Sequence, residues 1–395
     1  MKKLISLLVV LSCLIYGLPL FAAPSAGHKG MVSSAHPMAT EAGVEILRQG
    51  GNAADAAAAV AFVLAVVEPY SSGIGGGGFA LLKHNEAIRF LDFREIAPKR
   101  STRDMYIRNG KADTSISRDG VLSVAVPGAV AGYLELQEKY GVLTRQDVLR
   151  KAIEFAENGF AVTTRYQTYA TKRLEQLRKD AEISRIFLVK SKDGNYETPP
   201  IGHIVKQPEL AQTLTTISEQ GASAFYQGSI AQALVQDMEE RQGIISKSDL
   251  SDYKIRYRKP LVGSYRGHAV VSSPPPSSGG QIILSLLNVM EQAPTNEGYR
   301  SVENLHLYIE ASKRVFADRA LLGDPDYLSY LPGLIPHLIA KDRGPLLAQA
   351  ITPQATPARD IAPAQGSALP ADVPRTTGAS HSAGMDTTHL SVVDK

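Results

Sequence analysis

Between Asn52 and Pro69 the chain runs through Ala53-Ala54-Asp55-Ala56-Ala57-Ala58-Ala59-Val60-Ala61-Phe62-Val63-Leu64-Ala65-Val66-Val67, with Asp55 its single charge. A helix of that composition is apolar on nearly every face. It has no stripe to offer water and must be enclosed by other elements. Asn52 can cap its start and Glu68-Pro69 can end it. Just upstream, residues 37–48 read as an amphipathic helix stopped by Gly50-Gly51. Any fold for this chain has to be built around a buried second helix.

The rest of the composition allows it. With 395 residues and 44% hydrophobic content, the chain can fill one large core or two smaller ones. A net charge of +3 is close to neutral for this size and gives no electrostatic footprint for nucleic acid. The nine histidines are scattered, with no His-x-x-x-His pair and no carboxylate at ligand spacing, so a dedicated zinc site is not expected; no cofactor is expected either.

The first residues carry an address. Lys2-Lys3 form a positive region, residues 4–21 are mostly apolar, and Ala22-Ala23-Pro24-Ser25-Ala26 supplies small residues for cleavage. Residues 1–26 therefore read as a secretory signal peptide, with Gly17 and Pro19 disfavouring an uncleaved anchor, and a periplasmic or secreted location follows. The one cysteine, Cys13, lies inside that segment behind a bulky Leu11, a poor lipidation site. The mature chain would hold neither disulfide nor thiol nucleophile.

Downstream, helical and strand patterns alternate. Residues 79–83 and 88–93 read as a hairpin around His84-Asn85-Glu86. Pro127 suits a first helical position, and Thr144 with Asp147 resembles a capping box. Ser246 with Asp249 repeats that signature. Residues 253–262 and 264–273 read as strands, 274–280 as a break, and 302–322 as a helix. Residues 350–386 are rich in Pro, Ala, Ser and Thr and can bury little apolar surface. Ordering a backbone costs roughly 1–2 kcal/mol per residue, so they read as a mobile linker. A short strand beginning Thr387-Thr388-His389-Leu390 follows.

Few motifs carry chemistry by themselves. Gly73-x-Gly75-x-x-Gly78 spells a dinucleotide fingerprint, but a helix precedes it and a strand follows, the reverse of what that fingerprint needs. A close-packed backbone turn is the better reading. Arg94, at the end of a strand, could hold a ligand carboxylate through two parallel hydrogen bonds. It could equally pair with Asp92 or Glu95, and the residues themselves favour that pairing. Residues 274–280 are either a corner or a site wall. Thr387 has no base beside it as an internal residue. As a chain N-terminus it would bring its own base, an α-amine of pKa near ~7.7–8.0.

Six segments, taken together and in order, resemble the γ-glutamyltranspeptidase (glutathione hydrolase) family of N-terminal nucleophile hydrolases. They are Gly51-Asn52-Ala53-Ala54-Asp55-Ala56, Ser72-Gly73-Ile74-Gly75-Gly76-Gly77, Asp92-Phe93-Arg94-Glu95-Ile96-Ala97-Pro98, residues 274–280, Ala317-Asp318-Arg319 with Leu322-Gly323-Asp324-Pro325, and residues 387–394.

The resemblance implies an α+β fold, the four-layer αββα sandwich of that class, here its large-subunit part. It implies a proenzyme that cuts itself at Asp386–Thr387. Thr387 then forms an acyl-enzyme with glutathione and other γ-glutamyl donors, resolved by water or by an amino acid or dipeptide acceptor. Arg94 would bind the donor's α-carboxylate, with Glu95 beside it. Residues 27–349 would be the large-subunit domain and 387–395 the first residues of the small subunit, the family's source of oxyanion donors and further partners. The polypeptide is accordingly expected to be truncated and inactive alone. A cephalosporin (glutaryl) acylase of the same superfamily, or a non-catalytic exported γ-glutamyl-binding remnant, are the alternatives.

Overall fold

The computed structural model describes residues 26–293, 301–364 and 387–395. Residues 1–25 of the expected signal peptide and residues 365–386 of the expected linker, Asp386 among them, lie outside the described residues. A short strand β1 (Met31–Ser34) leads into helices α1 (Pro37–Arg48) and α2 (Ala53–Val67). A hairpin follows, β2 (Phe79–His84) and β3 (Ala87–Asp92). Then come helices α3 (Ala129–Tyr140), α4 (Arg145–Asn158), α5 (Thr164–Leu177) and α6 (Pro208–Gln220). The last third carries strands β4 (Arg256–Arg258), β5 (Leu261–Tyr265) and β6 (His268–Ser272), helices α7 (Gly279–Met290) and α8 (Val302–Asp318), and strand β7 (Leu390–Val393).

The apolar helix is where its sequence demands. Thirteen of its fifteen residues are buried, and α1, α3, α4 and β7 pack around it. Truncating one of its large side chains, such as Leu64, leaves a cavity worth about 2–5 kcal/mol. Its start is a full capping box. Asn52 Oδ1 accepts from Ala54 N and Asp55 N, and Asp55 Oδ2 accepts from Asn52 N at 3.1 Å. Asp55, wholly buried, also accepts from Val142 N at 2.9 Å, so one carboxylate ties the start of α2 to the turn after α3.

Three antiparallel groupings matter for the site. β1 pairs with β7 in the register Met31↔Val393 to Ser34↔Leu390. A three-stranded sheet runs in the order β4-β3-β2, with Arg256 opposite Asp92. β5 and β6 form a hairpin covered by α7.

Several expectations shift in detail. The hairpin at 79–92 stands, with Asn85 at φ +54° making its tight turn. The expected strand 253–262 is split. Residues 256–258 join β3, and Pro260 separates them from β5, because proline has no N–H for a ladder. The helix expected from Pro127 starts at Ala129, with Gly128 as its N-cap, and the amides of Gly128 and Ala129, which lack intrahelical partners, both donate to Gly76 O at 2.8 and 2.9 Å. Residues 350–364 are not free. Arg314 donates to Ala350 O at 3.1 Å, Thr356 N to Glu310 Oε1 at 3.1 Å, and Ala364 N to Asp318 Oδ1 at 2.7 Å. Counting apolar burial alone missed them, since buried charges on α8 satisfy their backbone.

Candidate active site

The site is framed by the two ends of the segment joining α2 to β2. At one end, Glu68 closes α2 and is fully buried. Its backbone carbonyl accepts from Ser71 N and Ser72 N, both at 2.9 Å, turning the chain sharply away from the helix. Its carboxylate accepts from Tyr70 Oη at 3.2 Å and from Thr388 Oγ1 at 2.9 Å, and lies 3.7 Å from the Arg165 guanidinium. Burial raises the Tyr70 phenol above its ordinary range, and the neighbouring carboxylate adds to that. His36, buried at the start of α1, belongs to the same polar cluster. Burial holds its imidazole below the ordinary value against the upward pull of Glu68. Its Nδ1 accepts from Met38 N at 3.3 Å, while its Nε2 is buried without a hydrogen-bond partner among the described residues.

Thr387 is exposed, one residue ahead of this anchored Thr388, at the start of the segment that becomes β7. Leu390 and Val392 pack on the main core from alternate positions of the strand. At the far end Asp394 Oδ2 accepts from Ala53 N at 2.7 Å.

At the other end of the segment, the glycine run packs against the strand end that bears Arg94. Gly78 and Phe93 exchange backbone hydrogen bonds at 3.0 and 3.3 Å. A Cβ on Gly77 would run into Glu95 N and Phe93 O, so only glycine permits this approach. The run is the close-packed turn its flanking helix and strand imply. Tyr133 ties the two ends together. Its ring meets Phe62 and Phe93 edge-on at 5.2 and 5.7 Å, and burial pushes its phenol up to about 12 against a hydrogen bond with Ser72.

Arg94 is half exposed and its Nε lies 3.6 Å from Glu95 Oε1, beyond hydrogen-bond length. An exposed pair of this kind contributes at most about 1 kcal/mol. Asp92, the other partner its sequence suggested, is committed elsewhere. It accepts from Arg94 N at 3.1 Å and pairs with Arg258 Nε at 2.6 Å. Arg258 in turn meets Asp326 at 2.8 Å, as does Arg256 at 2.5 Å. The Asp324-Pro325-Asp326 turn therefore braces the strand end beneath Arg94. Among the described residues the Arg94 guanidinium makes only that long approach to Glu95, and a guanidinium so placed can offer forked donors to a carboxylate.

Asp318, buried on α8, pairs with Arg343 at 2.8 Å, and Arg314 pairs with buried Glu310 at 2.7 Å, so these charges serve packing. Ser273 Oγ and Ser277 Oγ, 2.9 Å apart, hold the corner before α7. Glu68, His36 and Asp394 escaped the sequence reading. The available signal was Glu68 itself, a lone carboxylate directly after an unbroken apolar helix.

With that geometry established, similarity to known proteins can be weighed. The chain matches the Gamma-glutamyltranspeptidase family model over residues 39–395. A glutathione hydrolase proenzyme of Pseudomonas sp. strain A14 is 39% identical over 396 residues, covering 98% of this chain. An acylase ACY 1 proenzyme of Pseudomonas sp. strain V22 is 37% identical over 342 residues, 82% of the chain. The chain spans 65% and 59%, respectively, of the lengths of these two curated relatives. Among solved structures, the Helicobacter pylori gamma-glutamyltranspeptidase crystal structure superposes with a TM-score of 0.81 at 38% identity. It covers 87% of this chain and 100% of that one.

Proposed function

The chain belongs to the γ-glutamyltranspeptidase family, and from that premise we propose that it carries the γ-glutamyl-binding part and the nucleophile of a glutathione hydrolase/transferase. The observation that carries this reading is the docking of residues 387–395 along β1 and α2, which leaves Thr387 exposed beside an anchored Thr388.

In self-cleavage, Thr387 Oγ attacks the carbonyl carbon of Asp386. The peptide nitrogen leaves as the Thr387 amine, and water cleaves the resulting ester to give the Asp386 carboxylate and a free N-terminal threonine. That amine, partly neutral at working pH, then takes the proton of its own hydroxyl as Oγ attacks a γ-glutamyl carbonyl. The donor's amine leaves with a proton. The acyl ester passes to water in hydrolysis, or to an amino acid or dipeptide in transfer. Arg94 holds the donor's α-carboxylate through its forked donors, with Glu95 beside it. No metal or cofactor enters the scheme. We assign export to residues 1–26, which places the reaction outside the cytoplasm, and the small subunit of the same precursor as the obligate partner.

Because the chain spans only part of its relatives' length, the 395 residues by themselves are proposed not to turn substrate over. Removing a single oxyanion donor costs ~10²–10³ in rate, and the family draws those donors from its small subunit. Turnover by the purified 395-residue chain would count against this part.

The test is intact-mass analysis of the full-length precursor and of its Thr387→Ala variant. The precursor should yield a fragment beginning at Thr387 and hydrolyse a γ-glutamyl anilide, and the variant should do neither. A precursor that stays whole sinks the reading and leaves a binding remnant. The acylase relative supports a second reading, and a glutaryl β-lactam hydrolysed faster than glutathione would select it.

A further inference from the structure

Both ends of the segment carrying Thr387 are fastened to the two ends of one buried helix. Thr388 donates to Glu68, the residue that closes α2, at 2.9 Å, and Asp394 accepts from Ala53 N, the first amide of α2, at 2.7 Å. The lengths match. Fifteen helical residues rise about 22 Å. Six extended steps from Thr388 to Asp394 span about 20 Å.

We propose that Glu68 and Asp394 act as a two-point ruler, positioning residues that set the register of β7 on α2 and so fix where Thr387 stands. This rests on the reading of Thr387 as nucleophile.

The physics of strands makes register the quantity worth fixing. Slipping β7 by one residue against β1 would turn Leu390 and Val392 out of the core and Ser391 and Val393 into it. Such a slip would also move Thr387 along the strand axis and reverse its face. The core resists slippage through only two inward side chains, on a strand of four residues. The polar fastenings add what that short strand lacks. The Glu68 end is the stronger. Its carboxylate is wholly buried and already oriented by Tyr70 and Arg165, so the Thr388 hydroxyl has one charged acceptor in fixed geometry. The Asp394 end is exposed, with a carboxylate set at a helix N-terminus, where backbone donors and the helix dipole favour it.

Three variants of the full-length precursor test the ruler. Thr388→Val keeps the shape and removes the donor, Thr388→Ser restores the donor, and Asp394→Ala releases the exposed end. Backbone amide exchange at residues 390–393 reads register, and intact mass follows the fragment beginning at Thr387. Thr388→Val should lower protection of 390–393 at least tenfold and slow fragment formation about tenfold to a hundredfold, the scale of one charge-assisted hydrogen bond. Thr388→Ser should recover most of both, and Asp394→Ala should repeat the loss more weakly. In the enzyme that does mature, kcat per active site, counted from the fragment beginning at Thr387 in the folded fraction, should fall while KM for a γ-glutamyl anilide holds; general destabilisation would lower the number of active sites and leave the turnover of each unchanged. A folded Thr388→Val protein with wild-type protection and wild-type processing overturns the proposal. Should Thr388→Val fail to fold, Asp394→Ala carries the comparison, and unchanged exchange and processing there overturn it equally. A wild-type precursor that never releases the fragment defeats the nucleophile reading instead, and the exchange measurements still decide whether the ruler exists.

Discussion

Glu310→Gln is the perturbation whose size the structure sets most directly. Glu310 is 1% exposed on α8, and its carboxylate accepts from Lys313 Nζ, from Arg314 Nη1 at 2.7 Å and from Thr356 N at 3.1 Å. Burial works to raise its pKa, but the hydrogen bonds from Lys313 and Arg314 outweigh it and pull the value down to about 2, from an ordinary 4.5. At about 1.36 kcal/mol per unit, that difference is worth roughly 3 kcal/mol of folding stability. Lys313 and Arg314 remain partly exposed, so solvent screening trims the figure to about 2–3 kcal/mol.

The sign follows from the depressed value. The contribution is complete above the unfolded pKa of 4.5 and fades as pH falls from there through the folded value near 2. Urea unfolding of wild type and Glu310→Gln at pH 7, 4.5 and 3 should therefore show a gap of about 2–3 kcal/mol at neutral pH that narrows steadily in acid. The same variant should loosen residues 350–364, whose Thr356 amide loses its charged acceptor, and limited proteolysis there should quicken. A gap that stays constant across the pH range would refute the reasoning, because the stabilisation would then not come from the ionised carboxylate.

Two further predictions concern the site and its scaffold. Arg94→Lys keeps the charge but loses the fork, and in the processed enzyme it should raise KM for γ-glutamyl donors about tenfold to a hundredfold, the scale of one charge-assisted bond; steady-state kinetics showing an unchanged KM would remove Arg94 from the donor site. Asp55→Ala strips a buried acceptor from Asn52 N and Val142 N at once, and chemical unfolding should register a loss of about 2–4 kcal/mol; a loss under 0.5 kcal/mol would mean the α2 cap is idle.

How much could be read from the residues alone depends on how local the physics is. The run of residues 53–67 demands burial whatever surrounds it, and Asn52 with Asp55 caps it through contacts three residues apart, so both were legible in the sequence. The hairpin around Asn85 was legible for the same reason, since two short strands and a turn residue settle it between neighbours. Arg94 was half legible. Its geometry and charge suit a carboxylate, but only the fold shows that Asp92 is already taken by Arg258, 166 residues away, and that Glu95 is held too loosely to compete.

Thr387 gained its meaning at the level of the family pattern. What β7 docks against was invisible, because strand pairing across more than 350 residues leaves no local periodicity. Glu68 looked like a helix stop, and Asp394 was one more residue of the closing family segment, until α2 brought their partners within 3 Å. The sequence by itself determined that one helix must be enclosed, and its resemblance to a family named the residues proposed for γ-glutamyl chemistry. Only the tertiary structure decided which carboxylates are free, which are spent on the scaffold, and which hold the strand that presents Thr387. Hydrogen bonds and ion pairs form between groups that are close in space, and closeness in space is the one quantity a linear chain does not carry.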